Sequence, residues 1–188
     1  MLKGIIPYTH HLLKTSIQEG DIVIDATCGN GNDTLLLASI VGESGHVYAV
    51  DIQEQAITTT KALLAEHNYK HVTYIQDSHA NLNTYVPIEQ KGKIGGVVFN
   101  LGYLPRSDKQ IITTSESTIP AIKIALDYVE KGHLVILVIY YGHEGGTAEK
   151  DAVLSFTKNL DQKQYNVLQY QFINQKNHPP FIIAIEKR

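Results

Sequence analysis

The chain has 188 residues, 43% hydrophobic and 19% charged, which suits a single folded domain with one sizeable core and excludes a disordered chain. A formal net charge of -3 lacks the basic excess of many nucleic-acid binders, so any RNA-binding surface has to be local. The single cysteine, Cys28, excludes an intramolecular disulfide. The longest strongly apolar run, Leu134 to Tyr141, is far shorter than the roughly 20 residues that cross a bilayer, and no signal-like apolar stretch follows Met1, so a cytoplasmic protein with no membrane partner is expected.

A first helix is predicted over Tyr8 to Ser16. Strands follow at 22–26, 46–51, 71–76, 94–101, 132–141, 164–174 and 180–187, with helices near 32–41, 53–67, 79–85, 117–131 and 147–160. This alternation builds an α/β fold around a mostly parallel sheet. Continuous apolar runs such as Gly96 to Phe99 and Leu134 to Ile139 suit central strands covered on both faces. Only Asn174 to Pro179 separates the last two strands, too few residues for a crossover helix, so they form an antiparallel hairpin. Such a sheet resembles the seven-stranded Rossmann-like sheet of class I methyltransferases, and the resemblance implies the strand order 3-2-1-4-5-7-6 with helices on both faces. In open α/β sheets, ligands bind beyond the carboxyl ends of the strands near the switch between strands one and four.

At that edge the first strand ends in Asp25, and Ala26-Thr27-Cys28-Gly29-Asn30-Gly31-Asn32-Asp33 turns into a helix. Two glycines let the backbone approach a ligand, and the helix start offers free N–H groups. The next strand ends in Asp51, at the usual position for a carboxylate that binds ribose hydroxyls. Thr34 stands near where a dinucleotide fingerprint needs its third glycine, and Asp25 would repel a pyrophosphate. A cationic ligand with an ammonium and a sulfonium, S-adenosylmethionine, fits that charge better than NAD. Cofactor candidates are therefore Asp25, Cys28, Gly29, Asn30, Gly31, Asn32, Asp51 and Gln53, together with Asp77, Ser78 and His79 after the third strand for the adenine edge. Asp51, Asp77 and Ser78 each have a second reading as helix caps, and Asn30 and Asn32 as turn residues. Cys28 lacks a nucleophile motif and reads as a small apolar residue.

The fourth strand ends Asn100-Leu101-Gly102-Tyr103-Leu104-Pro105. This resembles the Asn-Pro-Pro-Tyr loop of amino-group methyltransferases, with Leu101 and Gly102 in place of the two prolines. The Asn100 amide oxygen and Leu101 carbonyl can accept hydrogen bonds from an amine and aim its lone pair, and Tyr103 can stack on a base. Asn100 as a strand cap and Tyr103 as a packing residue are the plain alternatives. Lys3, Tyr8, His10, His11, Lys14, Arg106, Lys109, His143 and His178 are candidates for a substrate-binding rim, where Tyr8 could hold a splayed base. No histidine pair has a zinc-site spacing, so no metal is expected.

Asp25 to Thr34, Val50-Asp51-Ile52-Gln53, Asp77-Ser78-His79, Asn100 to Pro105 and Asn177-His178-Pro179-Pro180 together resemble the small bacterial family once called rRNA methylases. That family includes the MnmM-type tRNA 5-aminomethyl-2-thiouridine methyltransferases. The resemblance spans essentially the whole chain and implies methylation of the aminomethyl nitrogen of wobble 5-aminomethyl-2-thiouridine, with the tRNA anticodon stem-loop as partner. His10, His11, His79, His143 and bulk water all remain open as proton acceptors. A methyltransferase for rRNA, protein or a small amine would share the cofactor residues, and a noncatalytic nucleotide-binding module would share the fold. A homodimer would widen the RNA surface of so small an acidic chain.

Overall fold

In the computed structural model, residues 1–102 and 112–188 are described. Seven strands form one sheet in the order β3-β2-β1-β4-β5-β7-β6. The strands are β1 (Ile22–Asp25), β2 (His46–Asp51), β3 (Val72–Gln76), β4 (Ile94–Leu101), β5 (Leu134–Ile139), β6 (Tyr165–Tyr170) and β7 (Phe181–Lys187). The first five pair in parallel, whereas β7 runs antiparallel to both β5 and β6. That is the predicted order and the predicted hairpin.

Strand periodicity sorts the core into two layers. Along β5, Val135, Leu137 and Ile139 pack with α5 (Ser115–Tyr128) and α6 (Gly146–Lys158), while Ile136 and Val138 face the opposite cluster with α1 (Ile5–Ser16) and α2 (Asn32–Val41). Both sets are almost fully buried, so a central strand has no polar face and reads as a continuous apolar run. Each such side chain contributes about 1.5–3 kcal/mol on burial. The edge strand β6 has one neighbour, and its middle residues are exposed.

Several boundaries differ from expectation for local reasons. Helix α1 begins at Ile5, three residues before the predicted start, with Pro7 in its first turn. Proline is tolerated there because the first four N–H groups have no intrahelical partner. The segment predicted as one helix over 79–85 divides into a 3-10 turn, His79–Asn81, and the single-turn α4 (Leu82–Tyr85). The Ser78 hydroxyl, which accepts from Ala80 N–H at 3.2 Å, caps the 3-10 turn. Helix α5 starts at Ser115 rather than 117, because the Thr114 carbonyl already accepts from Ser117 and Thr118. Helix α3 spans Glu54–Glu66. No helix among the described residues is long and apolar enough to cross a membrane.

Candidate active site

The carboxyl ends of β1, β2, β4 and β5 open onto a cavity of about 850 Å³, within the range of small-molecule sites. Its floor is the turn between β1 and α2. Gly31 has φ of 83°, and a Cβ there would lie 3.1 Å from Thr60 Cα, so turn geometry and packing both call for glycine. Gly31 itself does not line the cavity. Gly29, Asn30 and Asn32 do, as does Cys28. Burial, and next the Asp25 charge, push the Cys28 thiol up, so it stays protonated and packs as an apolar group.

Asp51 lines the cavity from the end of β2. Its Oδ2 accepts from Gly29 N–H at 3.0 Å and its Oδ1 from Gln53 N–H at 3.0 Å. A carboxylate has about four acceptor positions, so these backbone bonds do not exhaust it and lone pairs remain for a hydroxyl. Gln53, not Asp51, is the N-cap of α3, which removes the cap reading of Asp51. Beside it Ile52 is 58% exposed on the cavity wall, an apolar platform of the kind a nucleobase face requires. Diol acceptors, a glycine turn and an apolar wall together fit an adenosyl group.

The carboxylates Asp25 and Asp77 depart from expectation. Asp25 does not line the cavity: fully buried, it accepts from Thr34 Oγ1 at 2.6 Å and from Thr27 N–H at 3.3 Å. Burial, and next the charge of Asp33, raise its pKa to about 7. Its work is to tie the loop together from behind. Asp77 points outward, accepting from Tyr85 Oη at 2.7 Å and from the Asn81 amide. Those bonds, with the Tyr85 hydroxyl first, pull its pKa down. Ser78 and His79 remain on the cavity wall. His79 is buried, its Nε2 has no hydrogen-bond partner among the described residues, and burial lowers its pKa to about 4.

At the end of β4, Asn100 lines the cavity and its backbone N–H donates to Thr27 Oγ1 at 2.6 Å. Its side-chain Nδ2 donates to Asp33 Oδ2 at 2.7 Å, and the other Asp33 oxygen lies 2.7 Å from His10 Nε2. The Leu101 carbonyl takes Tyr140 N–H at 2.9 Å within the sheet edge, and Leu101 does not line the cavity. Tyr103, Arg106 and Lys109, with Leu104 and Pro105, lie outside the described residues.

Of the proposed rim, His10, His143 and His178 line the cavity. Tyr8 does not; its ring stacks on Tyr170 at 4.1 Å, and Tyr170 Oη donates to the Lys3 carbonyl at 2.7 Å. His11 is exposed on α1 outside the cavity. Asn177 and His178 both have positive φ, 64° and 53°, in the left-handed region that non-glycine residues rarely adopt. No cluster of metal-ligating side chains occurs among the described residues.

Asp33 and Thr27, not among the residues expected at the site, also stand on the cavity wall, as does Tyr140 at the end of β5. Asp33 had a visible cue as an acid in the first turn of a glycine-led helix. Nothing in local spacing, however, ties it to His10 or to Asn100, 67 residues away.

Residues 47–186 match the family described as "Putative rRNA methylase". The chain is 37% identical over 187 residues to the chloroplastic tRNA (mnm(5)s(2)U34)-methyltransferase of Arabidopsis thaliana, covering 95% of this chain and 68% of that protein. A "putative rRNA-methylase" of Clostridium thermocellum is 44% identical and superposes with a TM-score of 0.96 over 100% of both chains. A "putative methyltransferase" of Streptococcus mutans, solved with S-adenosylhomocysteine (SAH), is 42% identical with a TM-score of 0.90, again over 100% of both chains.

Proposed function

This chain belongs to the rRNA methylase family, a family of S-adenosylmethionine-dependent methyltransferases, and we propose that it methylates the aminomethyl nitrogen of 5-aminomethyl-2-thiouridine at the tRNA wobble position. The product is 5-methylaminomethyl-2-thiouridine. The observation that carries the reading is the orientation of Asn100. A carboxylate can only accept, so the Asn100 amino group is committed to Asp33 and its oxygen is left as the acceptor on the cavity wall. An amine N–H is the complement of that oxygen. The Arabidopsis relative carries the matching activity in its name.

S-adenosylmethionine, when bound, supplies a sulfonium-activated methyl group. Asp51 would hold its ribose hydroxyls, Ile52 its adenine face, and Gly29 with Asn30 its methionine portion. Asn100 fixes the acceptor nitrogen, and alignment of this kind is the main contribution a site makes to a displacement that needs no covalent enzyme intermediate. The alkylammonium has to lose a proton before its lone pair can react, a requirement that partial desolvation in the cavity favours.

For the RNA, we propose that the anticodon stem-loop approaches across Lys3, Lys14 and Lys176, exposed residues on the N-terminal segment and the β6–β7 connection. Tyr170 ties these two segments together. We place the protein in the cytoplasm, with its tRNA, and infer a homodimer that extends this surface; sedimentation of a tRNA complex containing one protein copy overturns the dimer.

The test is transfer of label from S-adenosylmethionine to tRNA that carries 5-aminomethyl-2-thiouridine, followed by nucleoside mass spectrometry. Label in 5-methylaminomethyl-2-thiouridine is expected. Transfer to rRNA or a small amine instead would reassign the acceptor, and tight SAH binding without any transfer would reduce the chain to a binding module.

A further inference from the structure

Asp33, at the first turn of α2, is placed where α1 and β4 meet the cavity. One oxygen is 2.7 Å from His10 Nε2 and the other accepts from Asn100 Nδ2 at 2.7 Å. Because a carboxylate offers only lone pairs, both partners must present hydrogens to it. That forces the proton of a neutral His10 onto Nε2 and leaves Nδ1 as a lone-pair acceptor. The same carboxylate takes the Asn100 amino group, so the amide oxygen is the atom left to accept. Two residues that line the cavity are thus left with one acceptor atom each by the same negative charge, an arrangement that suits a cation with protons to give.

We propose that Asp33 is the positioning residue that makes this end of the cavity a subsite for a protonated alkylamine, with His10 Nδ1 as the atom that takes the amine's proton. The inference rests on the amine-methylation reading above. In the step, one N–H bond of the ammonium breaks, its electron pair stays on nitrogen, and the proton goes to Nδ1. The imidazolium that forms is paired with Asp33. His10 is 31% exposed at its side chain, so the proton can pass on to solvent.

The other titratable groups near His10 are poorer fits. Tyr140 shares the cavity, but burial, and then the Asp33 charge, raise its pKa and keep the phenol protonated. Asp25 lies behind Asp33, facing Thr34. His79, held neutral with its pKa lowered to about 4, is too weak a base. His11 and Lys14, on α1 with His10, are exposed and outside the cavity. His178 lines the cavity from the β6–β7 connection, edge-on to Tyr141 at 5.3 Å, and His143 packs near Gly102 and Gly146.

The experiment compares the wild type with His10→Gln and Asp33→Asn, on tRNA carrying the aminomethyl nucleoside, between pH 6.5 and 9.5. Both variants should lose about 10²-fold or more in kcat near pH 7. The deficit should shrink as pH rises toward the ordinary alkylamine range of about 10, where solvent deprotonates the acceptor. SAH affinity should stay within about threefold of the wild type in both. In ¹⁵N-histidine NMR of the cofactor-free protein, His10 should show the Nε2–H tautomer, and Asp33→Asn should lose that preference. A pH-independent deficit, an Nδ1–H tautomer in the wild type, or full activity in His10→Gln overturns this inference while leaving amine methylation intact. Failure of the wild type to methylate the aminomethyl nucleoside overturns both.

Discussion

Asp51 and Asn100 stand on the same cavity wall with different partners, and the difference separates their expected phenotypes. Asp51 keeps acceptor capacity open toward the cavity, and charge-assisted bonds to a diol are each stronger than neutral ones. Asp51→Ala should therefore weaken SAH binding by about 10²-fold in calorimetry. Asn100→Ala should cost mainly turnover, by about 10-fold or more, with cofactor affinity nearly retained; equal losses of affinity in the two would contradict the division. His79 carries a second expectation. Its folded pKa of about 4 lies below the 6.5 of an unfolded histidine, so the unfolded chain takes up the proton first as pH falls. The stability present above pH 6.5 is then lost progressively toward pH 4, by up to roughly 3 kcal/mol. Asp25 acts in the opposite sense, because its raised pKa removes stability as pH climbs from about 4 to about 7. His79→Phe should accordingly gain on the wild type at pH 5 relative to pH 7.5 in thermal melts; a constant difference between the two proteins would refute the buried neutral imidazole. At this scale the sequence revealed residue types but not directions. Asp51 was legible because a strand end fixes where its carboxylate goes, whereas Asp25 and Asp77 had the right chemistry but are turned toward their own loops.

Elements were read more reliably than residues, since a central strand leaves a continuous apolar run and a helix leaves a 3.6-residue stripe whichever way a single carboxylate points. The short link between β6 and β7 forced the hairpin, and the two faces of β5 follow from period-two alternation. What escaped were contacts between elements distant in sequence. One is the buried Glu149 of α6, which accepts from Thr113 Oγ1 at 2.7 Å and Thr118 Oγ1 at 2.6 Å. Thr113 in turn accepts from Gly102 N–H at 2.8 Å and returns a backbone bond to the Gly102 carbonyl at 2.9 Å. Gly102, next after β4, is thereby fixed to α6 and the segment just before α5. Glu149→Ala leaves two threonine hydroxyls without their acceptor, and a loss of about 2–4 kcal/mol in denaturant unfolding is expected. Because Asn100 is only two residues from Gly102, kcat should fall while SAH affinity, which depends on the β1 and β2 ends, changes little. An unfolding midpoint equal to the wild type would show that the clip contributes nothing.

For the whole molecule, a net charge of -3 and the proposed tRNA substrate have to be reconciled. The excess acid is distributed over the fold, and part of it is withdrawn from a polyanion: Asp33 stands on the cavity wall and Asp25 is buried behind it. Among the described residues, Lys3 and Lys14 on the N-terminal segment and Lys176 on the β6–β7 connection are exposed cations, the three proposed to meet the RNA. With about three phosphate contacts from these lysines, binding to a single-stranded loop should show a slope of roughly -2 in log K against log[salt]. Most of the remaining affinity would then come from a base held in the cavity and stacked on aromatic side chains, which salt does not screen. Replacing Lys3, Lys14 and Lys176 with alanine should flatten the slope toward zero and weaken binding of every stem-loop equally, whether or not it carries the aminomethyl group. Asp33→Asn should do the reverse, keeping the slope and removing the preference for the aminomethylated loop. Fluorescence anisotropy with modified and unmodified anticodon stem-loops, from about 50 to 200 mM salt, measures both. A steep slope that survives the triple substitution would place the RNA on another face of the protein and separate the cavity from its proposed substrate.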